Sequence, residues 1–113
     1  MPTDRPRLTM RPGVRLLVNL LGDKWTVPVI QLLSPGSRRH AELKRGLPGV
    51  SQRMLTRTLR RLEARGLLTR TVHHTSLPSV EYSLTPLGRS LNRSLQTLCH
   101  WTERHADELQ GAT

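Results

Sequence analysis

Ser51-Gln52-Arg53-Met54-Leu55-Thr56-Arg57-Thr58-Leu59-Arg60-Arg61-Leu62-Glu63-Ala64-Arg65-Gly66 decides how the rest of this chain reads. Ser51 is an N-cap residue and Gly66 a C′ stop, so the stretch predicts a helix with both ends marked. Leu55, Leu59 and Leu62 recur at i, i+4 and i+7 and form one apolar stripe. At about 100° per residue, Arg53, Arg57 and Arg60 fall near the opposite meridian, with Gln52 and Thr56 on one flank. Guanidinium, amide and hydroxyl groups on one outward face are the side chains that read base edges in a DNA major groove.

A solvated surface helix is the bland alternative, and the sign of the charge argues against it. Between Ser51 and Arg70 stand Arg53, Arg57, Arg60, Arg61, Arg65 and Arg70 against the single acid Glu63. An ordinary exposed face mixes signs. Ser51, Gln52, Arg53, Thr56 and Arg57, nearest the helix start, are therefore the candidates for base contact. Arg39, Lys44, Arg60, Arg61, Arg65, Arg70, His73 and His74 are the candidates for phosphate contact.

Upstream, Arg39 to Gly46 predicts a short helix with Leu43 and Leu47 as its apolar contacts, and Leu47-Pro48-Gly49-Val50 turns the chain into the opening stretch. A short helix, a tight turn and a second helix with a basic outer face make a helix-turn-helix. Downstream of Gly66 the period changes from 3.6 to 2. Leu67 to His74 and Val80 to Leu84, joined by His74 to Ser79, predict a β-hairpin placed as the wing of a winged helix.

Further out, Val14 to Leu21 predicts an apolar helix ended by Gly22, and Asp23 an N-cap for a helix over Lys24 to Leu33. Pro28 should kink that helix or delay its start. Thr85-Pro86 opens a last helix running to about Leu109, in which Leu87, Leu91, Leu95 and Leu98 repeat on one stripe. Its first part is expected to face inward and its last turns outward, against a second copy. Leu16, Leu91, Leu95, Leu98, Trp101 and Thr102 are the candidates for that dimer interface. Residues 1–13, rich in Pro, Arg and Thr, read as a flexible basic arm, and 14–113 as the folded domain.

Composition agrees with one small domain that binds a polyanion. In 113 residues the apolar fraction is 35%, with no Phe, one Tyr and two Trp, so a single modest core is expected to be helped by a partner chain. Residues 1–70 carry 15 basic and 4 acidic side chains, net +11, and residues 71–113 carry 3 and 4, net −1. The basic part suits nucleic acid and the neutral leucine-bearing part suits protein contact. The single Cys99 excludes an intrachain disulfide framework and fits a reducing compartment. Met1 to Pro6 lacks the apolar run of a signal peptide, and no stretch has the length and apolarity of a membrane span, so a cytoplasmic location without membrane contact is expected.

Rival functions are weak. Cys99 and His100 point about 100° apart on a helix and make no nucleophile–base pair, so no enzyme is expected. His73 and His74 face opposite sides of a strand and His100 and His105 are five apart, so no metal or cofactor is expected either. A basic winged-helix module that binds RNA or a protein partner stays open as the alternative to duplex DNA. Aromatics at 3% disfavour base stacking of the kind RNA readers use.

From about Val18 to Trp101 the chain resembles the HxlR-type family of bacterial winged-helix transcriptional regulators, relatives of the MarR type. The resemblance rests on five stretches: Leu21 to Thr26, Arg39 to Leu43, Leu47 to Leu55, Leu59 to Leu67, and Pro78 to Gly88. It implies a mainly α fold with a small β-hairpin, a winged helix-turn-helix whose terminal helices dimerise. It also implies a homodimer on double-stranded DNA, with Ser51 to Ala64 as recognition helix, and it leaves open an unknown small-molecule effector. Two departures stand out. Many members carry a cysteine near Arg11 to Gly13 that senses redox state in some, and this chain has none there. An aromatic residue is usual where His40 stands.

Overall fold

The computed structural model describes residues 11–111. In chain order it contains α1 (Pro12–Leu21), α2 (Thr26–Leu33), β1 (Arg38–Arg39), α3 (His40–Arg45), α4 (Gln52–Ala64), β2 (Leu68–His73), β3 (Ser79–Leu84), α5 (Pro86–Arg104) and α6 (Ala106–Leu109). The three strands form one antiparallel sheet in the order β1-β3-β2, with Leu68 opposite Leu84, His73 opposite Ser79 and Arg38 opposite Tyr82. The fold is mainly α with a winged helix-turn-helix core, as the sequence predicts.

Both marked ends of α4 behave as their residues dictate. The Ser51 hydroxyl accepts the Met54 amide at 3.0 Å, which satisfies one of the unbonded amides of the first turn. At the other end the Gly66 amide donates to the Glu63 carbonyl at 2.9 Å and the Leu67 amide to the Leu62 carbonyl at 3.0 Å, with Gly66 at φ +76°. That pair of bonds is a Schellman stop and requires a left-handed residue, which glycine supplies. Leu55, Leu59 and Leu62 are completely buried and meet Val29, Ile30 and Leu33 of α2 and Leu43 of α3 in the core.

Several boundaries differ from the sequence expectation. Residues 1–10 of the expected arm lie outside the described residues, while Pro12 and Gly13 already belong to α1, proline fitting the first turn where its missing amide costs nothing. Helix α2 starts at Thr26, not Lys24. Pro28 thereby falls in its first turn, so no internal hydrogen bond is lost and the helix is not kinked there. The strand β1 was not expected, because two residues carry no period. The last helix is not continuous to Leu109. At His105, with φ −114°, the ring stacks on Trp101 at 4.9 Å and its Nδ1 lies 2.9 Å from the Trp101 carbonyl, which breaks α5 from α6.

Helix α5 is also rotated from the expected stripe by roughly 75° at 100° per residue. Its buried meridian is Gly88, Asn92 and Leu95, with Cys99 half-buried on the same line. Leu87, Leu98 and Trp101 face out. Leu95, expected at a dimer interface, is 3% exposed and belongs to the chain's own core. Asn92 explains the rotation in part, since its amide donates to the Ser34 hydroxyl at 3.1 Å and so needs an inward place. Gly88 explains the rest. A Cβ at this position would fall inside the van der Waals envelope of the Leu67 carbonyl oxygen and 3.2 Å from Leu84 Cδ2, so only glycine allows the helix so close.

Gly88→Ala is therefore expected to cost about 1 to 3 kcal/mol through overpacking against backbone that has little room to move. Urea unfolding of variant and parent measures it, and an unchanged midpoint would show that α5 can shift away without penalty.

Candidate nucleic-acid interface

Gln52, Arg53, Thr56, Arg57 and Arg60 line one open groove on the outward face of α4. Its amino-terminal half presents amide and hydroxyl beside guanidinium, because the leucine stripe turns these positions to solvent. On one flank the face continues into a concavity formed by Thr56, Arg60, Glu63, Arg70 and Tyr82, which brings Arg70 of β2 beside the helix. Further along, Arg39 of β1 lies with His73, Glu81 and the hairpin tip. Arg70 thus joins the α4 face, whereas Arg39 and His73, opposite or near Glu81, lie on the other side of the sheet from Arg70 and Tyr82.

The charges on this face are not neutralised internally. Among the described residues Arg53, Arg57 and Arg60 form no ion pair; Arg61 pairs with Asp23 at 3.5 Å, and His73 Nε2 lies 2.8 Å from a Glu81 carboxylate oxygen. Three neighbouring guanidinium groups repel one another, and a fold gains nothing from placing them together without acids. Arg53 and Arg57 are exposed, as are Ser51 and Gln52, and Thr56 is half-buried. Lys44 is exposed on α3 and His74 at the wing.

Three of the expected phosphate ligands sit in other surroundings. Arg61 is engaged by Asp23, on the flank of α4 that faces the α1–α2 corner. Arg65 lines a separate apolar groove with Gly13, Leu16, Leu17, Leu20 and Leu67, beside α1 and not beside the α4 face. His73 is held by Glu81 across the hairpin. For the dimer candidates, Leu16, Leu98, Trp101 and Thr102 are exposed in the single chain, with Val14, Leu17 and Val18 exposed near Leu16. Leu91 packs partly against the core.

Sequence reading passed over the polar ties that hold α4. Asp23 accepts the Thr58 hydroxyl at 2.6 Å and the Trp25 amide at 2.8 Å. The available signal was Thr58 itself, a hydroxyl on a leucine-rich face that must find a partner if buried. On the other flank His40 Nε2 lies 3.4 Å from the Thr56 hydroxyl. Burial lowers the His40 pKa below its ordinary 6.5, and Lys44 one turn on adds to the effect, so the ring is neutral at pH 7. Cys99 lies half-buried in mid-helix and accepts from Gln31 Nε2 at 3.6 Å. Among the described residues no group of three His, Cys, Asp or Glu could hold a metal ion, and no single helix is long and apolar enough to cross a membrane.

Residues 20–110 match the family model for the HxlR-like helix-turn-helix. Over 96 residues the chain is 43% identical to the HTH-type transcriptional regulator YkvN of Bacillus subtilis, covering 85% of this chain and 81% of that one. Its structure is similar to that of a MarR-family transcriptional regulator from Enterococcus faecalis V583, with a TM-score of 0.78 and 35% identity over 94% of this chain and 98% of that one. It is also similar to the redox regulator HypR in its reduced form, with a TM-score of 0.81 and 37% identity over 88% of this chain and 98% of that one.

Because the His40 pKa is lower in the folded chain than in the unfolded, the unfolded state binds more protons between the two values, and stability must fall as pH falls. The contribution is complete above pH 6.5 and is lost as pH drops through the lowered value. Melting curves from pH 7.5 down to 5 should show a decline that is smaller in His40→Phe; identical profiles for the two proteins would assign the decline to other groups.

Proposed function

From a chain that belongs to the HxlR-like helix-turn-helix family of transcriptional regulators, we propose a homodimer that binds an inverted repeat in double-stranded DNA and acts in the cytoplasm. Each recognition helix, α4, enters a major groove, and the two half-site centres lie about 34 Å apart. The β2–β3 wing lies along the phosphate backbone or over the minor groove. The observation that carries this reading is the row Arg53, Arg57 and Arg60, in no ion pair among the described residues, beside Gln52 and Thr56 on the outer face of a capped helix. Bidentate arginine to guanine and glutamine to adenine supply the sequence reading.

Arg53, Arg57, Gln52, Ser51 and Thr56 take the base-reading role, because they stand at the end of α4 that points deepest into the groove. Arg60, Arg70, Arg39, Lys44 and His74 take the backbone role. Arg61, Arg65 and His73 are placed less directly, for the reasons of pairing and position above. The dimer interface joins the outward faces of α1 and α5, where Leu16 is 51% and Trp101 46% exposed in one chain. HypR is a redox regulator by name; no such role is proposed for Cys99, which sits mid-helix, far from the N-terminus of α5, with His100 and Glu103 as its neighbours.

Footprinting on DNA flanking the chain's own gene, followed by competition with RNA of equal length, tests the reading; stronger competition by RNA would favour the alternative module. Arg53→Ala should relax preference at one base pair per half-site, by about 1 to 3 kcal/mol of discrimination. A uniform loss on all sequences would move Arg53 to the backbone group. Trp101→Glu, at a position the chain's own core does not use, should give folded monomers in sedimentation that no longer hold the inverted repeat; a dimer of unchanged strength would refute the interface.

A further inference from the structure

We propose that Asp23 is a positioning residue for base reading: it fixes the rotation of α4 about its own axis. The leucine stripe decides which face of α4 is buried, but apolar contact is non-directional and tolerates rotation and sliding. Base reading does not tolerate them, because a bidentate pair needs short, nearly linear hydrogen bonds. Some directional restraint must hold the helix, and Asp23 supplies it.

Both oxygens of its carboxylate are engaged. Oδ1 accepts the Trp25 amide at 2.8 Å, which anchors the group to the corner between α1 and α2. Oδ2 accepts the Thr58 hydroxyl at 2.6 Å and faces the Arg61 guanidinium at 3.5 Å. The Asp23 side chain is 11% exposed, and Thr58 is buried. A carboxylate with so little access to water is stable only while its donors stay in place, so a turn of α4 that breaks one bond leaves a largely covered charge short of partners. Thr58 and Arg61 are three residues apart, one above the other on a single flank of the helix, so both resist the same rotation. His40 meets Thr56 on the opposite flank at 3.4 Å, and the helix is clamped from both sides.

The inference rests on the duplex-reading function above and adds a residue to it that touches no DNA. It separates two kinds of binding. Phosphate contacts survive a small rotation, because long arginines follow a backbone that is the same everywhere, whereas base contacts fail. Loss of Asp23 should thus lower specific affinity and spare non-specific affinity.

Four full-length variants test it, each titrated with the footprinted operator and with a random duplex of equal length, beside a melting curve. Asp23→Asn and Thr58→Val should each weaken operator binding about tenfold or more while random-duplex affinity stays within about twofold, a loss taken out of the specificity ratio. Asp23→Asn with Thr58→Val together should lose no more than either alone, as expected of one shared interaction. Thr58→Ser, which keeps the hydroxyl, should keep the parent ratio. Were Asp23→Asn not to fold, the two Thr58 variants decide alone. Operator and random affinities falling together, in step with the melting temperature, would make Asp23 a stability residue only and overturn the proposal, as would an unchanged ratio. A parent protein that does not prefer the operator at all would overturn the duplex-reading function itself, and this inference with it.

Discussion

Thr85 ties the end of the recognition helix to everything that follows it. Its amide donates to the Leu67 carbonyl at 3.0 Å, and its hydroxyl donates to the Gly66 carbonyl at 2.6 Å while accepting the Gly88 amide at 3.0 Å. One residue therefore closes the base of the hairpin, satisfies a carbonyl just beyond α4 and caps α5. Because Leu67 and Thr85 are held together, the register from Leu68–Leu84 to His73–Ser79 is set from its root, and the wing leaves α4 in a fixed direction. The same contact brings Gly88 under the Leu67 carbonyl, so the angle at which α5 departs is set there too. Wing, recognition helix and outermost helix share one joint.

Charge on α4 divides by flank. Arg61 pairs with an acid from the α1–α2 corner and works as part of the scaffold, while Arg53, Arg57 and Arg60 form no ion pair among the described residues. The Arg61 side chain is 38% exposed and its 3.5 Å pair with Asp23 is long, so Arg61 matters more for where it holds the helix than for energy. The unpaired three are a standing repulsion that a polyanion would relieve, and counterions released from DNA would make that relief depend on salt. A basic helix is ambiguous as composition. The ion pair at Arg61 and its absence at Arg53, Arg57 and Arg60 distinguish the scaffold side of α4 from its open side.

What was legible in the sequence was local. Ser51, Gly66 and Thr85-Pro86 mark ends by rules that involve a few neighbouring residues, and Leu55, Leu59 and Leu62 mark a face by period alone. The α4 groove was legible for the same reason, since its five lining residues follow from one wheel. What failed depends on contacts across the chain. Arg38 and Arg39 become a strand only because Tyr82 and Glu81 are opposite, and no period can appear in two residues. Arg61 looked like a free cation because its acid lies far away in sequence, at Asp23. Helix α5 was oriented by its leucines, yet Gly88 and Asn92, which apolar counting ignores, are what face inward.

That rotation gives α5 two faces of different character. The inward one is held by directional bonds, Asn92 to Ser34 at 3.1 Å and Gln31 to Cys99 at 3.6 Å, and by the close approach of Gly88 to Leu67 and Leu84, so it fits this chain's own core. The outward one, Leu87, Leu98 and Trp101, is apolar and carries no such address, which suits the two-fold contact proposed above. The consequence reaches the only thiol. Cys99 follows Leu98 directly and so lies about 100° round the helix from it, turned toward α2. A disulfide between copies would need Cα atoms within roughly 7 Å and Cβ vectors that face each other. The geometry that frees the leucines for a partner chain turns the sulfur away from it, so the proposed dimer and a Cys99 cross-link between its subunits make opposite demands on one helix.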